Sequence, residues 1–317
     1  MAIGRSLYRL PETGLSQAAL VNFRLVTPGQ IPYLESIMKM NTIQTLVINA
    51  GLLCWIISSP ATASEPMRAE SANVITQDAF TLSPGEWEFS LGLGMERAHQ
   101  AFDQSGSVVT RPDTFQNAIA ASVVRGLAED LDLSFTGFWA KLGDQQSGSE
   151  DGNGLGDVQL ELRWKFFSGD AWHLAYLPRL VAPLGNKQDE ARLVPGQPYW
   201  SVDNSLVASR VDGRWARSVE ASLSLPFGHA RKENRRAVGL NGALGYQLGP
   251  AVKIEAELLL EHQQFEPDQT AWRSSLALGA VMHLSPELRM DAALVQGIHG
   301  QSADRLNMVV INFVIQL

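Results

Sequence analysis

The sequence predicts a transmembrane, antiparallel, up-and-down β-barrel of about twelve strands. Three observations predict it. The chain ends in RLNMVVINFVIQL, where Val309, Ile311, Phe313, Ile315 and Leu317 fall on one face of a terminal strand. Side chains alternate between faces with a period of two, so this is a ribbon with one unbroken apolar face at the end of the chain. A barrel in lipid needs such a strand, because the last strand closes against the first and its outer face meets hydrocarbon. The second observation is that short and long connections alternate from end to end. The third is that aromatic residues cluster at both ends of the strands.

The N-terminal part has the pattern of an export signal. Met38-Lys39-Met40 precedes an apolar run over 45–57, then Pro60 and Ala61-Thr62-Ala63. A charged start, a short apolar core and an A-x-A end define a signal peptide over 38–63, with cleavage expected after Ala63. The run falls short of the ~20 residues that span a bilayer as a helix. Cys54, the single cysteine, follows Leu53 where a lipoprotein site needs a small residue. Residues 1–37 show no periodicity and are expected to be a start-site extension ahead of Met38 or Met40. With the signal removed no cysteine remains, which excludes a disulfide scaffold or a thiolate metal site. Net charge is −8, and Arg5, Arg9, Arg24 and Lys39 against Glu12 and Glu35 precede Ser64, which leaves −10 for the rest. That balance argues against a nucleic-acid partner.

Residues 64–85 are polar and irregular and end in Ser83-Pro84-Gly85. They form a periplasmic segment or a plug, and the barrel is assigned to 86–317. The first strand, 86–96, places Trp87, Phe89, Leu91, Leu93 and Met95 opposite Glu86, Glu88, Ser90, Gly92 and Gly94. A weaker alternation follows over 115–124. In 131–140, Leu131, Leu133, Phe135 and Trp139 oppose Asp132, Ser134 and Thr136. In 158–166, Val158, Leu160, Leu162, Trp164 and Phe166 oppose Gln159, Glu161, Arg163 and Lys165. Strands 172–182, 202–211, 217–227 and 237–248 are weaker. In 252–261, Val252, Ile254, Ala256, Leu258 and Leu260 oppose Lys253, Glu255, Glu257 and Glu261. Strands 272–284, 288–296 and 306–317 complete the set, each near the ~10 residues a tilted spanning strand requires. The connections at 125–130, 168–171, 212–214, 249–251 and 285–287 are short and rich in turn residues. Those at 97–113, 141–156, 185–201, 228–236, 262–270 and 297–304 are longer and polar. Short periplasmic turns and long outer loops alternate in this way in outer-membrane barrels.

Trp87, Trp164, Trp172 and Trp215, with Phe166 and Tyr246, lie in the outward register beside the short turns. Trp139 and Trp272, with Phe115 and Phe227, lie there beside the long loops. Two interfacial aromatic girdles result.

Three segments resemble the family of outer-membrane transporters named for the meta-cleavage pathway of phenol degradation (MetA-pathway phenol degradation-like). They are TLSPGEWEF at 81–89, GLGDVQL at 154–160 and LPRLVAPLG at 177–185. The resemblance spans about 75–317. Pro183-Leu184-Gly185 departs from the family's Pro-Thr-Gly, and the chain ends in Leu317 where barrels often end in Phe. The resemblance implies an outer-membrane channel for small molecules, aromatic ones among them.

The inward register supplies the expected lining. Gly92, Gly94, Ala120, Ser122, Ser134, Ser222, Ser224, Gly239, Ala243, Ala277 and Gly279 are small and leave room. Glu86, Glu88, Asp132, Arg163, Lys165, His173, Lys253, Glu255, His283, Arg289 and Asp291 bring charge toward the periplasmic half, and Arg179 and Glu257 join them as lining. Arg163, Lys165, His173 and Arg179 form a basic stripe; Glu86 with Glu88, and Glu255 with Glu257 and Glu261, form acidic ones. Opposed charges across a constriction orient and select polar solutes; the same groups also satisfy one another in a salt-bridged network that holds the barrel's shape. No catalytic residues are expected. The alternative of an outer-membrane lipase rests on His262 and Ser274, outward on neighbouring strands with no third partner. A further alternative is a non-conducting structural or interaction barrel. The six histidines lack metal spacing, and no cofactor is expected. Asp151-Gly-Asn-Gly with Asp157 is read as outer loop, not calcium site. Expected partners are outer-membrane lipid and lipopolysaccharide, the barrel-assembly machinery through the last strand, and small-molecule solutes.

Overall fold

The computed structural model describes residues 73–145, 151–170, 172–184, 193, 195–197, 199–227, 236–264 and 270–317. The start-site extension, the signal peptide and the tips of several outer loops lie outside the described residues. The strands in order are β1 (Trp87–Phe102), β2 (Val108–Ala128), β3 (Leu131–Asp144), β4 (Gly152–Leu155), β5 (Val158–Ser168), β6 (His173–Ala182) and β7 (Trp200–Asp212). They continue as β8 (Trp215–Phe227), β9 (Arg236–Gly249), β10 (Val252–Gln264), β11 (Thr270–His283), β12 (Leu288–Gln301), β13 (Ala303–Asp304) and β14 (Asn307–Gln316). β4 and β5 both pair with β3 and are one wall strand interrupted at Gly156-Asp157. β13 and β14 both pair with β1 and are likewise one strand. The wall therefore has twelve staves, each antiparallel to its neighbours.

Closure is complete. β1 pairs with β2 on one side and with β14 on the other, from Glu88 opposite Gln316 to Arg97 opposite Asn307. Trp87 and Leu317 exchange both backbone hydrogen bonds, at 2.9 and 2.8 Å, so the seam is zipped to the final residue. A closed sheet leaves no unpaired edge, the condition for backbone to lie in hydrocarbon. The outward register is apolar on every side: Leu278 is 57% and Leu294 65% exposed. An apolar outer face of this extent is what a barrel in an outer membrane requires.

The wall rises farther than the alternation suggests. β2 is 21 residues long and β1 is 16, so the first long loop shrinks from 97–113 to Asp103–Ser107. Likewise β3 runs to Asp144 and 152–155 is strand, which removes half of the loop assigned to 141–156. Beyond the bilayer the outward face need not be apolar, so the apolar–polar period disappears while the ladder continues. In the small turn that remains, the Asp103 carboxylate accepts from the Ser105 hydroxyl (2.6 Å) and from the Ser105 and Ser107 amides (2.8 and 2.9 Å). The Ser105 hydroxyl, aided by these amides, holds the Asp103 carboxyl below the usual carboxylate range.

Residues 73–85 do not lie outside the wall. The turn at Ser83–Glu86 packs on the β2–β3 turn, with Gly85 N–H donating to the Gly126 carbonyl at 2.9 Å. From there the preceding residues run into the barrel. Gly126 is small for that reason: a Cβ there would lie 2.1 Å from the Ser83 carbonyl oxygen. Gly126→Ala is expected to cost about 1–3 kcal/mol, the usual penalty for an overpacked contact. Gly137→Ala, where a Cβ meets nothing within 4 Å, is expected to be near neutral. Urea unfolding of lipid-reconstituted protein measures both.

Candidate functional site

The candidate site is the lumen. Its wall carries the inward half of each strand, and its charges form two tiers. The tier toward the long-loop rim holds Arg111, ion-paired to Asp304 and 4.0 Å from Asp144, and Arg273, which donates to Glu261 at 2.8 Å. Glu96 is buried beside them. The tier toward the short turns holds Asp132, Arg163, Glu220, Lys253, Glu255, Glu257, Arg289 and Asp291, while Glu161, Arg179 and Asp203 form a row near the long-loop ends of β5, β6 and β7. Between the tiers one side of the wall is apolar, with Leu259, Val295, Leu306 and Met308 in a single cluster with Val74 and Ile75.

The predicted basic stripe is neutralised. Register places Arg179 opposite Glu161 on β5 and opposite Asp203 on β7. Its Nε and Nη2 donate to Glu161 Oε2 at 2.9 and 2.6 Å. Arg163 lies 3.6 Å from Asp78, and Lys165 is 3.0 Å from Asp130. His173 contacts Ser168 Oγ through Nδ1 at 2.9 Å and tilts against the Phe80 ring, 4.7 Å between centroids. Alternation assigns a face to each residue but does not give the partner across the ladder, and the cross-strand carboxylates are what the stripe lacks in sequence. Lys253 is 2.7 Å from Glu255, and Arg289 donates to Asp291 at 3.0 Å. Glu88 faces inward between Val124 and Gln316. Glu86 stands just outside β1 and accepts from Ser83 N–H at 2.9 Å, so it belongs to the rim turn.

Most of the remaining inward carboxylates bind main chain. Val74 N–H donates to Glu255 Oε1 at 2.8 Å, Ile75 N–H to Glu257 Oε1 at 2.8 Å and Thr76 N–H to Glu257 Oε2 at 2.5 Å. Gln77 N–H reaches Glu220 Oε2 at 3.2 Å, Ala79 N–H reaches Ser209 Oγ at 3.0 Å, and Leu82 N–H reaches both Asp132 oxygens at 3.2 Å. From the other direction Arg163 donates to the Phe80 carbonyl (2.9 Å) and Gln77 Oε1 (3.0 Å), and Lys165 to Thr81 Oγ1 (3.0 Å). The segment thus crosses the bore from β3 and β5, past β7 and β8, to β10. Apolar contacts seat it: Ala79 with Ala175, Leu177 and Val207, and Val74 and Ile75 with the cluster above. Ile75 and Ala79 are 0% exposed.

Glu220, fully buried and also bound by Ser205 Oγ (2.8 Å) and Asn241 Nδ2 (3.3 Å), is absent from the residues singled out in sequence. The signal for it was there: Ser218, Glu220, Ser222 and Ser224 share one register, and two of these serines were already counted as lining. Arg111, Glu161, Asp203 and Asp304 are further such cases.

The tryptophans sit outward at both ends. Trp87 lies under the Arg125 guanidinium at 4.4 Å, Trp164 beside Phe166 at 5.9 Å and Trp215 beside Tyr246 at 4.7 Å, all by the short turns. Trp172 has Arg210 over it at 5.9 Å. At the other rim Trp139 is exposed, Trp272 stacks on His299 at 5.1 Å, and Trp200, not singled out in sequence, meets Phe227 at 6.3 Å. Of the lipase pair, His262 stands opposite Trp272 and Ser274 opposite Leu260. Ser274 is buried and its hydroxyl donates to the His299 carbonyl at 3.4 Å, so it is not presented to lipid as a nucleophile.

Among curated proteins no sequence matches the chain. Solved structures of similar plan are the COG4313 outer membrane channel from Pseudomonas putida F1 (17% identity, 76% of this chain, 99% of that chain, TM-score 0.67) and the KdgM porin (11%, 71%, 98%, 0.43). Another is the CymD monoaromatic hydrocarbon channel (12%, 74%, 89%, 0.42). The first establishes the fold as an outer-membrane barrel. A family model described as "Putative MetA-pathway of phenol degradation" matches residues 105–308, more than half of the sequence, and the chain belongs to that family.

Proposed function

We propose that the protein is an outer-membrane channel that passes small solutes through its lumen and performs no chemistry on them. One observation carries this: the bore is wide enough to admit a stretch of polypeptide with its side chains. Barrels of about eight strands fill with their own side chains, and wider ones leave space. Here the added width is taken up by main chain, not by larger inward residues. A passage that accepts an extended peptide accepts a solute the size of one aromatic ring. The family's link to phenol degradation makes small aromatic compounds the first solutes to test. The inward charges, Asp132, Arg163, Lys253, Glu255, Glu257, Arg289 and Asp291 among them, line that path, and the tryptophan girdles fix the barrel's depth in the bilayer. Lipid and lipopolysaccharide cover the outside, and the C-terminal strand, before it closes on β1, is what the barrel-assembly machinery would engage.

The test is conductance in planar bilayers of the full chain purified from outer membranes, with liposome swelling for neutral solutes. Discrete current steps and solute-driven swelling are expected. A protein that inserts and yet passes neither ions nor solutes under any condition would favour a structural or interaction barrel.

A further inference from the structure

The lumen strap, residues 73–82, presents an arrangement that shape-holding alone does not require. Five consecutive or near-consecutive backbone amides, those of Val74, Ile75, Thr76, Gln77 and Leu82, point at carboxylates of four different residues on three strands of the wall. Glu220, Glu255 and Glu257 have no sequence-neighbour relation to the strap: they lie 143 to 182 residues away. They do not meet a cation of the strap. They meet neutral N–H donors, whose presence keeps the inward carboxylates satisfied in a water-poor bore.

We propose that residues 73–82 occupy the solute path as an internal stand-in ligand, and that Asp132, Glu220, Glu255 and Glu257, which hold its amides, are the groups that select hydrogen-bond-donating or cationic solutes when the strap leaves. This rests on the channel reading above. Three features support it. First, the contacts are main-chain N–H to side-chain carboxylate, the kind any solute bearing N–H or O–H replaces bond for bond. Charge-assisted hydrogen bonds of this type are strong but exchangeable when a competing donor arrives. Second, the strap is tethered at one end only within the described residues. Its C-terminal end is joined to the wall through the Ser83–Glu86 turn, while Val74, Ile75 and Thr76 at its other end are held only by non-covalent contacts with Glu255, Glu257 and the apolar cluster. A segment held by one hinge can swing toward the periplasm without unravelling the wall. Third, its apolar anchors are few: Val74 and Ile75, both fully buried, at one end and Ala79 in the middle. Leaving the bore breaks these contacts together with the strap's hydrogen bonds, and the hydrogen bonds are the more numerous.

The wall itself predicts the selectivity. On the strap-facing side Lys253 is held by Glu255 and Arg179 by Glu161, so these two cations are engaged by wall carboxylates. The departing strap uncovers the carboxylates of Asp132, Glu220, Glu255 and Glu257 and two cations, Arg163, which loses Asp78, Gln77 and Phe80, and Lys165, which keeps Asp130; the carboxylates outnumber the cations, and such a lining favours cations and donors over anions.

The test uses the full chain in planar bilayers. In a Cys54→Ala background, Ala79→Cys with Ser209→Cys places a cysteine pair where Ala79 N and Ser209 Oγ are 3.0 Å apart. Oxidation is expected to lower the conductance severalfold and reduction to restore it. As a second variant, deletion of residues 73–82 is expected to raise conductance severalfold and to show a reversal potential favouring K⁺ over Cl⁻. Adding Glu220→Gln with Glu257→Gln to the deletion is expected to shift that potential toward zero. Current steps that are the same in the oxidised, reduced and deleted proteins would leave the channel standing and overturn the strap's role. A deleted protein that conducts without preferring K⁺, or whose preference ignores the two glutamines, would overturn the selectivity assignment. Silence in parent, reduced and deleted proteins alike would overturn both the gate and the channel.

Discussion

Arg179→Ala is expected to lower the barrel's stability by about 3–5 kcal/mol, the cost of removing one partner from a buried ion pair. The guanidinium sits at the centre of a row across three strands, with Glu161 and Asp203 as its register partners on either side. All three side chains are buried. Truncation leaves two carboxylates next to each other in the bore with the intervening cation gone, so repulsion adds to desolvation. Arg179→Lys is expected to recover only part of the loss. It keeps the charge but lacks the planar fork whose Nε and Nη2 both reach Glu161 Oε2. Arg179→Met with Glu161→Leu separates the two contributions: replacing a buried pair by apolar side chains is often close to neutral. A large recovery in that double variant would place the cost in the orphaned carboxylate. Urea unfolding of protein refolded into lipid vesicles, followed by tryptophan emission and heat-modifiable gel migration, measures all three. Equal stability of Arg179→Ala and parent would show that water reaches Glu161 and Asp203 and that the row is not a dry network.

The wall was legible in the sequence and the content of the bore was not, and the physics of each explains why. Outward faces such as Trp87-Phe89-Leu91-Leu93-Met95 record the lipid directly, because every second residue meets hydrocarbon. Closure was legible in the last strand for the same reason. Strand ends were not, since in Arg97–Phe102 and Val108–Thr114 the outward face is no longer required to be apolar and no period survives. The strap is the sharper case. Its bonds to Glu255, Glu257 and Glu220 come from backbone amides, which every residue but proline carries, so residues 73–82 show no pattern that marks a lumen segment. A plug was one of two readings for 64–85, and nothing in those side chains chose between them. Glu220 was hidden in a weakly alternating strand, and Arg111 and Asp304 sat in stretches assigned to loops. The inward charges near the short turns were nonetheless found, because a charged residue in a strand whose other face is apolar has only the lumen to face.

Ile311→Arg is expected to destabilise the barrel by about 2–4 kcal/mol, the cost of a basic side chain near the midplane on a barrel's lipid face. Ile311 lies midway along β14, outward, with Leu93 on β1 and Ala292 on β12 as its register partners. Neither neighbour offers a carboxylate, so the guanidinium has only hydrocarbon around it and must bend toward an interface some five residues away in either direction. The position matters beyond its depth. β14 is the strand on which the seam with β1 closes, and its outward face is the pattern that predicted the barrel. A defect there acts on the closing step of assembly as well as on the finished wall. The matched control is Val310→Thr, one residue along and inward, where the side chain sits in the lumen cluster and not in lipid. It is expected to cost less, since burying a neutral hydroxyl among apolar side chains is a smaller penalty than placing a charge in hydrocarbon. If Ile311→Arg folded with unchanged stability and unchanged gel migration, that face of β14 would not meet the bilayer core. The terminal apolar ribbon would then need another partner, a second barrel wall or another protein.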